Sequence, residues 1–214
     1  LYISADYLKM VSSVRVAPSI NIKLYIMLAL VLFFVIGCCG AVLLGRLSDI
    51  VDYLLYVDKK TGLPNREKLN IYIGEMAGKV LPEAFTCFTL SLDNLSELTK
   101  RFGYTVGDGV LKDFAGLVQL MGDTEGMRGY NGVGRFVVFF EECSSKKAAA
   151  MIRILDNQVE EYNSLNPEYP IRYTAAWATT EETDTYEIRE LLRLSQKKWK
   201  QMEKEKKDKT EEET

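Results

Sequence analysis

The sequence predicts an α/β (α+β) domain, a mainly antiparallel sheet flanked by helices, preceded by one transmembrane helix. Three observations carry this reading. A charge-free apolar run, "LYIMLALVLFFVIGCCGAVLLG" from Leu24 to Gly45, sits between Lys23 and Arg46, long enough to cross a bilayer as a helix. Beyond it, stretches with helical spacing alternate with short strand-like stretches. One tight glycine hairpin, "YNGVGRFVVFF" from Tyr130 to Phe140, interrupts that alternation.

The elements follow in order. Residues 1–23 read as an extracytoplasmic tail or the end of a truncated sensor. The chain opens on Leu1 rather than Met, and the expectation is that further sequence precedes it. Residues 24–45 form the membrane helix; a signal peptide has a shorter apolar core. Gly37, Ala41 and Gly45 recur at four-residue spacing, which lets two membrane helices approach closely. The commonness of small residues in such spans explains that spacing equally well. Lys and Arg are nearly balanced across the span, so the positive-inside rule does not set its orientation. In residues 46–60, Leu47, Ile50, Val51, Leu54 and Val57 recur at helical spacing. This is a signalling or linker helix, too short to define a coiled coil.

Residues 61–200 form the soluble domain. In "TGLPNREKL", Gly62 and Pro64 mark a turn and Asn65 is placed to cap the helix that follows. "AFTCFTLSLD", Ala84 to Asp93, alternates large apolar with small polar residues and reads as a strand. Helices are expected over 93–102 and 106–120, then the hairpin, a helix over 145–164, a strand over 170–179 and a last helix from about Tyr186. That order gives a sandwich related to the ferredoxin-like arrangement. In the tail, 201–214, the charge density of "QMEKEKKDKTEEET" predicts a frayed, solvated end.

Composition excludes several chemistries. The 214 residues carry 27 basic and 30 acidic side chains, a net charge of -3, so no basic face for nucleic acid is expected. There is no histidine, which removes Ser-His and Cys-His catalysis and histidine metal sites. Cys38, Cys39, Cys87 and Cys143 lack metal-ligand spacing and read as buried free thiols.

Two motifs give the domain a family. "DKKTGLPNR" (Asp58 to Arg66) resembles the D-x-LTGLPNR opening of GGDEF domains, the diguanylate cyclase family. "SLDNLSELTKRFGYTVGD" (Ser91 to Asp108) resembles that family's second signature and keeps Gly103, Gly107 and Asp108. The GGDEF signature falls on Gly132, Val133, Gly134, Arg135 and Phe136. The resemblance covers about Asp58 to Lys200 and implies a nucleotidyl-cyclase-like fold. It also implies a bacterial cell-membrane location, single-pass in this stretch, with the GGDEF domain cytoplasmic.

The resemblance further implies chemistry in which paired GTP-loaded subunits make cyclic di-GMP by Mg²⁺-assisted phosphoryl transfer. The family's metal carboxylates map to Ser91 and Gly134, with Leu92 between the two aspartate positions of the D-I-D segment. Asp93 is the remaining acidic candidate. Arg135 stands where the family has Glu, and Val133 replaces a glycine that approaches the phosphates. Thr99 and Lys100 replace an Asn-Asp pair, Tyr104 a histidine, and Met202 falls where a phosphate-binding lysine is expected. Asp123 and Gly126 occupy the ends of the family's product-inhibition R-x-x-D.

The expected function is therefore a catalytically inactive, membrane-anchored GGDEF-type module with no catalytic residue and no cofactor, acting by dimerisation or partner binding. Expected partners are the lipid bilayer and either a second copy or another GGDEF protein. The alternatives are an active cyclase with atypical metal ligands, needing Mg²⁺, and a GTP sensor without turnover. Its nucleotide-binding candidates are Asp108, Thr99, Lys100 and Arg135. The absence of Asp and Glu between Arg128 and Phe140 keeps a one-residue slip of alignment from restoring a metal ligand.

Overall fold

A computed structural model describes residues 22–122 and 126–212. The N-terminal tail up to residue 21 and Asp123 of the product-inhibition positions lie outside the described residues. The chain divides into two compact units, one ending at Val51 and one running from Asp52 to Thr214.

The described residues of the first unit are helical. Helix α1 spans Ile22–Tyr56, so the expected membrane and linker helices are continuous in the backbone. Its most apolar stretch has a mean hydropathy of 2.9, and no residue of the helix is buried. By length and composition it is able to cross a membrane. Cys38 and Cys39 are exposed on it rather than buried as expected, because they belong to this helix and not to a protein core.

In the second unit, Asp58 organises the loop after α1. Its Oδ1 accepts hydrogen bonds from the backbone N–H of Lys60 (3.1 Å) and Thr61 (2.9 Å) and from the Thr61 hydroxyl (2.9 Å), as a short acidic side chain does in a turn. Gly62 takes a φ of 71°. Asn65 then caps α2 (Arg66–Met76), accepting from the Lys68 N–H at 3.1 Å. The Asn65 side chain also donates to the Leu55 carbonyl at 2.7 Å, tying the helix start back across the loop.

The sheet contains β1 (Thr86–Leu92), β2 (Gly126–Gly132), β3 (Arg135–Phe140) and β4 (Tyr173–Thr179) in the order β2-β3-β1-β4. Every neighbouring pair is antiparallel. Between β1 and β2 lie α3 (Leu95–Phe102) and α4 (Tyr104–Gln119); α5 (Ser145–Leu165) joins β3 to β4. The short α6 (Thr180–Thr183) precedes α7 (Ile188–Glu212). The last helix continues through the charged tail instead of fraying near 200. Its Lys-rich and Glu-rich sequence supports a solvated helix as readily as a coil.

Both faces of the sheet are covered. On one face Phe88, Leu90, Phe136 and Val138 pack with Val110, Phe114 and Val118 of α4 and Leu155 of α5. On the other, Val137, Phe139 and Ala178 pack with Leu69 of α2 and with Ile188 and Leu191 of α7. Burial of each such side chain stabilises the fold by about 1.5–3 kcal/mol.

The double covering explains why every residue of β1 is buried, although its alternating sequence suggests one wet face. Two of the small side chains of β1 meet α7 instead of water: the Thr89 and Ser195 hydroxyls lie 2.8 Å apart, and Cys87 Sγ is 3.4 Å from the same Ser195 oxygen. Burial pushes the Cys87 thiol up to about 12, partly offset by its hydrogen bond to Ser195. It is an unreactive core group.

Candidate functional site

The sheet register brings the two signature segments together. Ser91 of β1 pairs directly with Arg135 of β3 on one side and Thr174 of β4 on the other. The turn is closed on the end of β1 by the Leu92 N–H, which donates to the Gly134 carbonyl at 2.8 Å. Above this point opens a cavity of about 1140 Å³, room enough for an organic ligand.

Ser91, Leu92, Asp93, Thr99, Lys100, Val133 and Arg135 all line it. Gly132, Gly134, Phe136 and Asp108 do not. Phe136 is a core residue, fully buried. Asp108 is held by an ion pair with Lys60 at 2.8 Å, both side chains well exposed; it serves the loop before α2.

Among the lining residues not legible as site residues in the sequence are Arg172, Tyr173, Trp199 and Lys206. Met202 is 40% exposed and does not line the cavity, whereas Lys206, about one turn further along α7, does. Trp199, Glu203 and Lys206 recur at i, i+4 and i+7 of α7 and all reach the cavity. That spacing is the sequence signal that marks one helix face.

The polar wiring of this wall is specific. The Thr174 hydroxyl donates to Asp93 Oδ2 at 2.6 Å. Lys206 Nζ donates to the Tyr173 carbonyl and to the Thr174 hydroxyl, each at 2.8 Å, and lies 3.6 Å from Asp93 Oδ2. Burial raises the Asp93 pKa, and the bond from Thr174 and the Lys206 charge oppose that rise. Arg172 pairs with Glu97. Arg135 lies with its guanidinium carbon 5.3 Å from the centre of the Trp199 ring, a cation–π geometry.

This donor set does not fit a divalent cation. Mg²⁺ needs hard oxygen ligands in near-octahedral array, with carboxylates the usual protein contribution. Ser91 offers a hydroxyl, Gly134 no side chain, and Asp93 is already met by an ammonium group.

The hairpin tip carries a second departure. Val133 and Gly134 form a two-residue loop in which both φ values are positive, 52° and 72°, as in the type I′ turn. A β-branched residue is the poorest choice for such a position, and Val133 is 83% exposed, so packing does not compensate it. Replacing Val133 with Asn is expected to raise the unfolding free energy by about 1 kcal/mol, read as a higher urea midpoint with an unchanged slope.

The fold and this constellation define the class: a GGDEF-type, diguanylate-cyclase-like domain of cyclic di-GMP signalling. Residues 55–209 match the family described as "Diguanylate cyclase, GGDEF domain", and the chain belongs to that family. No curated protein matches the sequence.

Among solved structures, the chain is similar to the coiled coil and GGDEF domain of DgcB from Caulobacter crescentus, a structure in complex with c-di-GMP. There the TM-score is 0.57 at 15% identity, over 70% of this chain and 82% of that one. It is also similar to a diguanylate cyclase/phosphodiesterase from Caldicellulosiruptor saccharolyticus, with a TM-score of 0.55 at 19% identity over 71% and 91%. A third is the S helix-GGDEF-EAL region of Vibrio cholerae LapD bound to c-di-GMP, with a TM-score of 0.52 at 13% identity. That match covers 63% of this chain, and the chain spans only 31% of the LapD structure's length. At these identities the likeness is one of fold.

Proposed function

We propose that this chain is a membrane-anchored GGDEF signalling module that does not condense GTP to cyclic di-GMP and acts through dimerisation or partner binding. One observation carries the reading. The positions where the family resemblance puts metal-binding carboxylates hold Ser91 and Gly134, and the neighbouring Asp93 is occupied by Thr174 and Lys206. Without a metal clamp the site lacks the ion that would hold the attacking and leaving oxygens of a metal-assisted phosphoryl transfer.

Helix α1 supplies the anchor, since its exposed apolar length suits a bilayer core. The apolar spacing of Leu47, Ile50, Val51 and Leu54 on the same helix suits packing against a second helix. In a mixed pair with an active cyclase, only one subunit would present a productive GTP, so pairing would lower the partner's output.

The test uses the full chain in lipid nanodiscs with GTP and either Mg²⁺ or Mn²⁺, followed by chromatography of products. No cyclic di-GMP above the protein-free control is expected. Turnover that scales with protein concentration would overturn the proposal. Co-reconstitution with an active GGDEF cyclase provides the second arm, with a fall in that enzyme's rate expected.

A further inference from the structure

The two edges of the sheet are finished differently. Strand β2 lies at one edge and β4 at the other. On β2 the Tyr130 N–H donates to the Pro64 carbonyl at 2.8 Å, and the Arg128 side chain donates to the Gly126 carbonyl at 3.4 Å. A register shift between Tyr130 and Gly132 distorts the same strand. Occupied backbone groups and a bulge are means of blunting an edge.

The middle of β4 carries no such device. The Asp93 N–H donates to the Arg172 carbonyl and the Thr180 N–H to the Phe85 carbonyl, and both pairs continue the register of β1 with β4. In an antiparallel ladder, residues that bond to the neighbouring strand alternate with residues whose groups point away from it. Thr174, Ala176 and Ala178 therefore bond to β1, while Tyr173, Ala175, Trp177 and Thr179 aim their N–H and C=O groups outward in the plane of the sheet.

Both ends of this outward row are closed. The Tyr173 carbonyl accepts from Lys206 Nζ at 2.8 Å, and the Thr179 carbonyl accepts from the Thr183 hydroxyl at 2.6 Å. Among the described residues, nothing bonds to the outward groups of Ala175 and Trp177. The strand, YTAAWAT, contains neither a charged residue nor a proline, the residues that guard exposed edges. Tyr173 and Trp177 are only partly buried there.

This open window is centred on Ala176 and is its own complement. A second β4, antiparallel and related by a two-fold axis at Ala176, sets Ala175 opposite Trp177 of the second copy and Trp177 opposite its Ala175. Each free N–H then meets a free C=O. An indole ring stands opposite a methyl group, a cross-strand pairing of large with small, and no like charges oppose each other within the strands. A slip of one residue would set outward groups against inward ones. Beyond the strand, Arg172 falls opposite Thr180 of the second copy, next to its Glu181 and Glu182. Arg172 already pairs with Glu97 and Glu182 with Lys198, all exposed, so these charges favour the antiparallel direction more than they add strength.

We infer that the β4 edge is a docking site for a second copy of this chain, whose own β4 adds antiparallel about Ala176 and joins the two sheets into one. The inference rests on the proposed action by dimerisation and names the surface that serves it.

Amide hydrogen exchange resolved to single residues tests this on the full chain, in nanodiscs assembled with one copy or with two. In single-copy discs the Ala175 and Trp177 amides should exchange fast and the Ala176 amide slowly. A second copy should slow Ala175 and Trp177 by about tenfold or more. Ala175→Pro removes an outward donor and keeps the ladder to β1, as proline on an edge strand does. It should return the Trp177 amide to its single-copy rate with little change in melting temperature. Ala176→Pro removes an inward donor and should lower the melting temperature, which checks the assignment of inward and outward groups.

The wild-type comparison involves no substitution, so it decides even where a proline variant fails to fold. Equal exchange in the two kinds of disc, slow exchange of both amides already in single-copy discs, or protection that Ala175→Pro leaves in place would overturn the inference. Protection confined to residues 47–56 of α1 in two-copy discs would keep dimerisation and exclude the β4 edge from it. Formation of cyclic di-GMP would overturn the functional proposal and is read separately from the exchange rates.

Discussion

Phe136→Ala is expected to lower the unfolding free energy by about 3–5 kcal/mol, the usual loss when a buried aromatic ring is removed and its cavity only partly collapses. The ring is fully buried. It meets Phe114 edge-on with centroids 5.3 Å apart and Tyr130 at 5.2 Å, so it joins β3 to α4 and to the edge strand β2. Backbone pairing puts it between Leu90 and Tyr130. Equilibrium urea unfolding of the full chain in nanodiscs measures the effect. Phe136→Leu, which keeps much of the volume, should lose less than about 1.5 kcal/mol. A loss under about 1 kcal/mol for the alanine variant would contradict the packing described. Since Arg135 precedes this ring directly, loosening it should also release the Arg135 stack on Trp199.

Gly107→Ala is the second large effect, expected at about 1–3 kcal/mol of destabilisation from overpacking. A Cβ at this position would lie 2.3 Å from Thr99 Oγ1, 3.2 Å from Thr99 Cβ and 3.4 Å from Thr99 Cα. The hydroxyl cannot swing away freely, because it donates to the Leu95 carbonyl at 2.7 Å. Helices α3 and α4 must therefore move apart. A Gly107→Ala, Thr99→Ala double variant removes the closest clash and should recover part of the loss, giving a coupling that a thermodynamic cycle isolates. Additive losses would mean that the two residues do not meet as described.

Gly134 shows why putting back a single carboxylate is not a simple repair. Its φ of 72° already disfavours a side chain, and an added Cβ would lie 3.1 Å from the Leu92 carbonyl oxygen and 3.3 Å from Leu95 Cδ2. The glycine is therefore matched to the hairpin and β1 as they now pack. An acidic residue there would require those neighbours to yield, and would still lack a second carboxylate at Ser91.

Much of this protein was determined within short stretches of its sequence. The unbroken apolar run made the first part of α1 legible as a helix long and apolar enough to cross a membrane, because length and side-chain polarity are local properties. Asn65 as a helix cap and Gly62 as a turn residue followed from chemistry acting over three or four positions, and both hold. The hairpin was legible from its glycines, and the replaced signature residues were legible because identity at Ser91, Gly134 and Arg135 needs no coordinates.

What the tertiary structure decided is which distant residues meet. The pairing of Ser91 with both Arg135 and Thr174 depends on the register of three strands. The covering of the polar face of β1 by Ser195 depends on where α7 docks. The same docking puts Lys206 beside Asp93 and Trp199 under Arg135. Periodicity and turn propensity describe a segment's own backbone and faces, whereas these contacts form only when the packed core fixes one element against another. Ser91, Gly134 and Arg135 are read at the signature positions from the sequence; packing brings Lys206 beside Asp93 and Trp199 under Arg135.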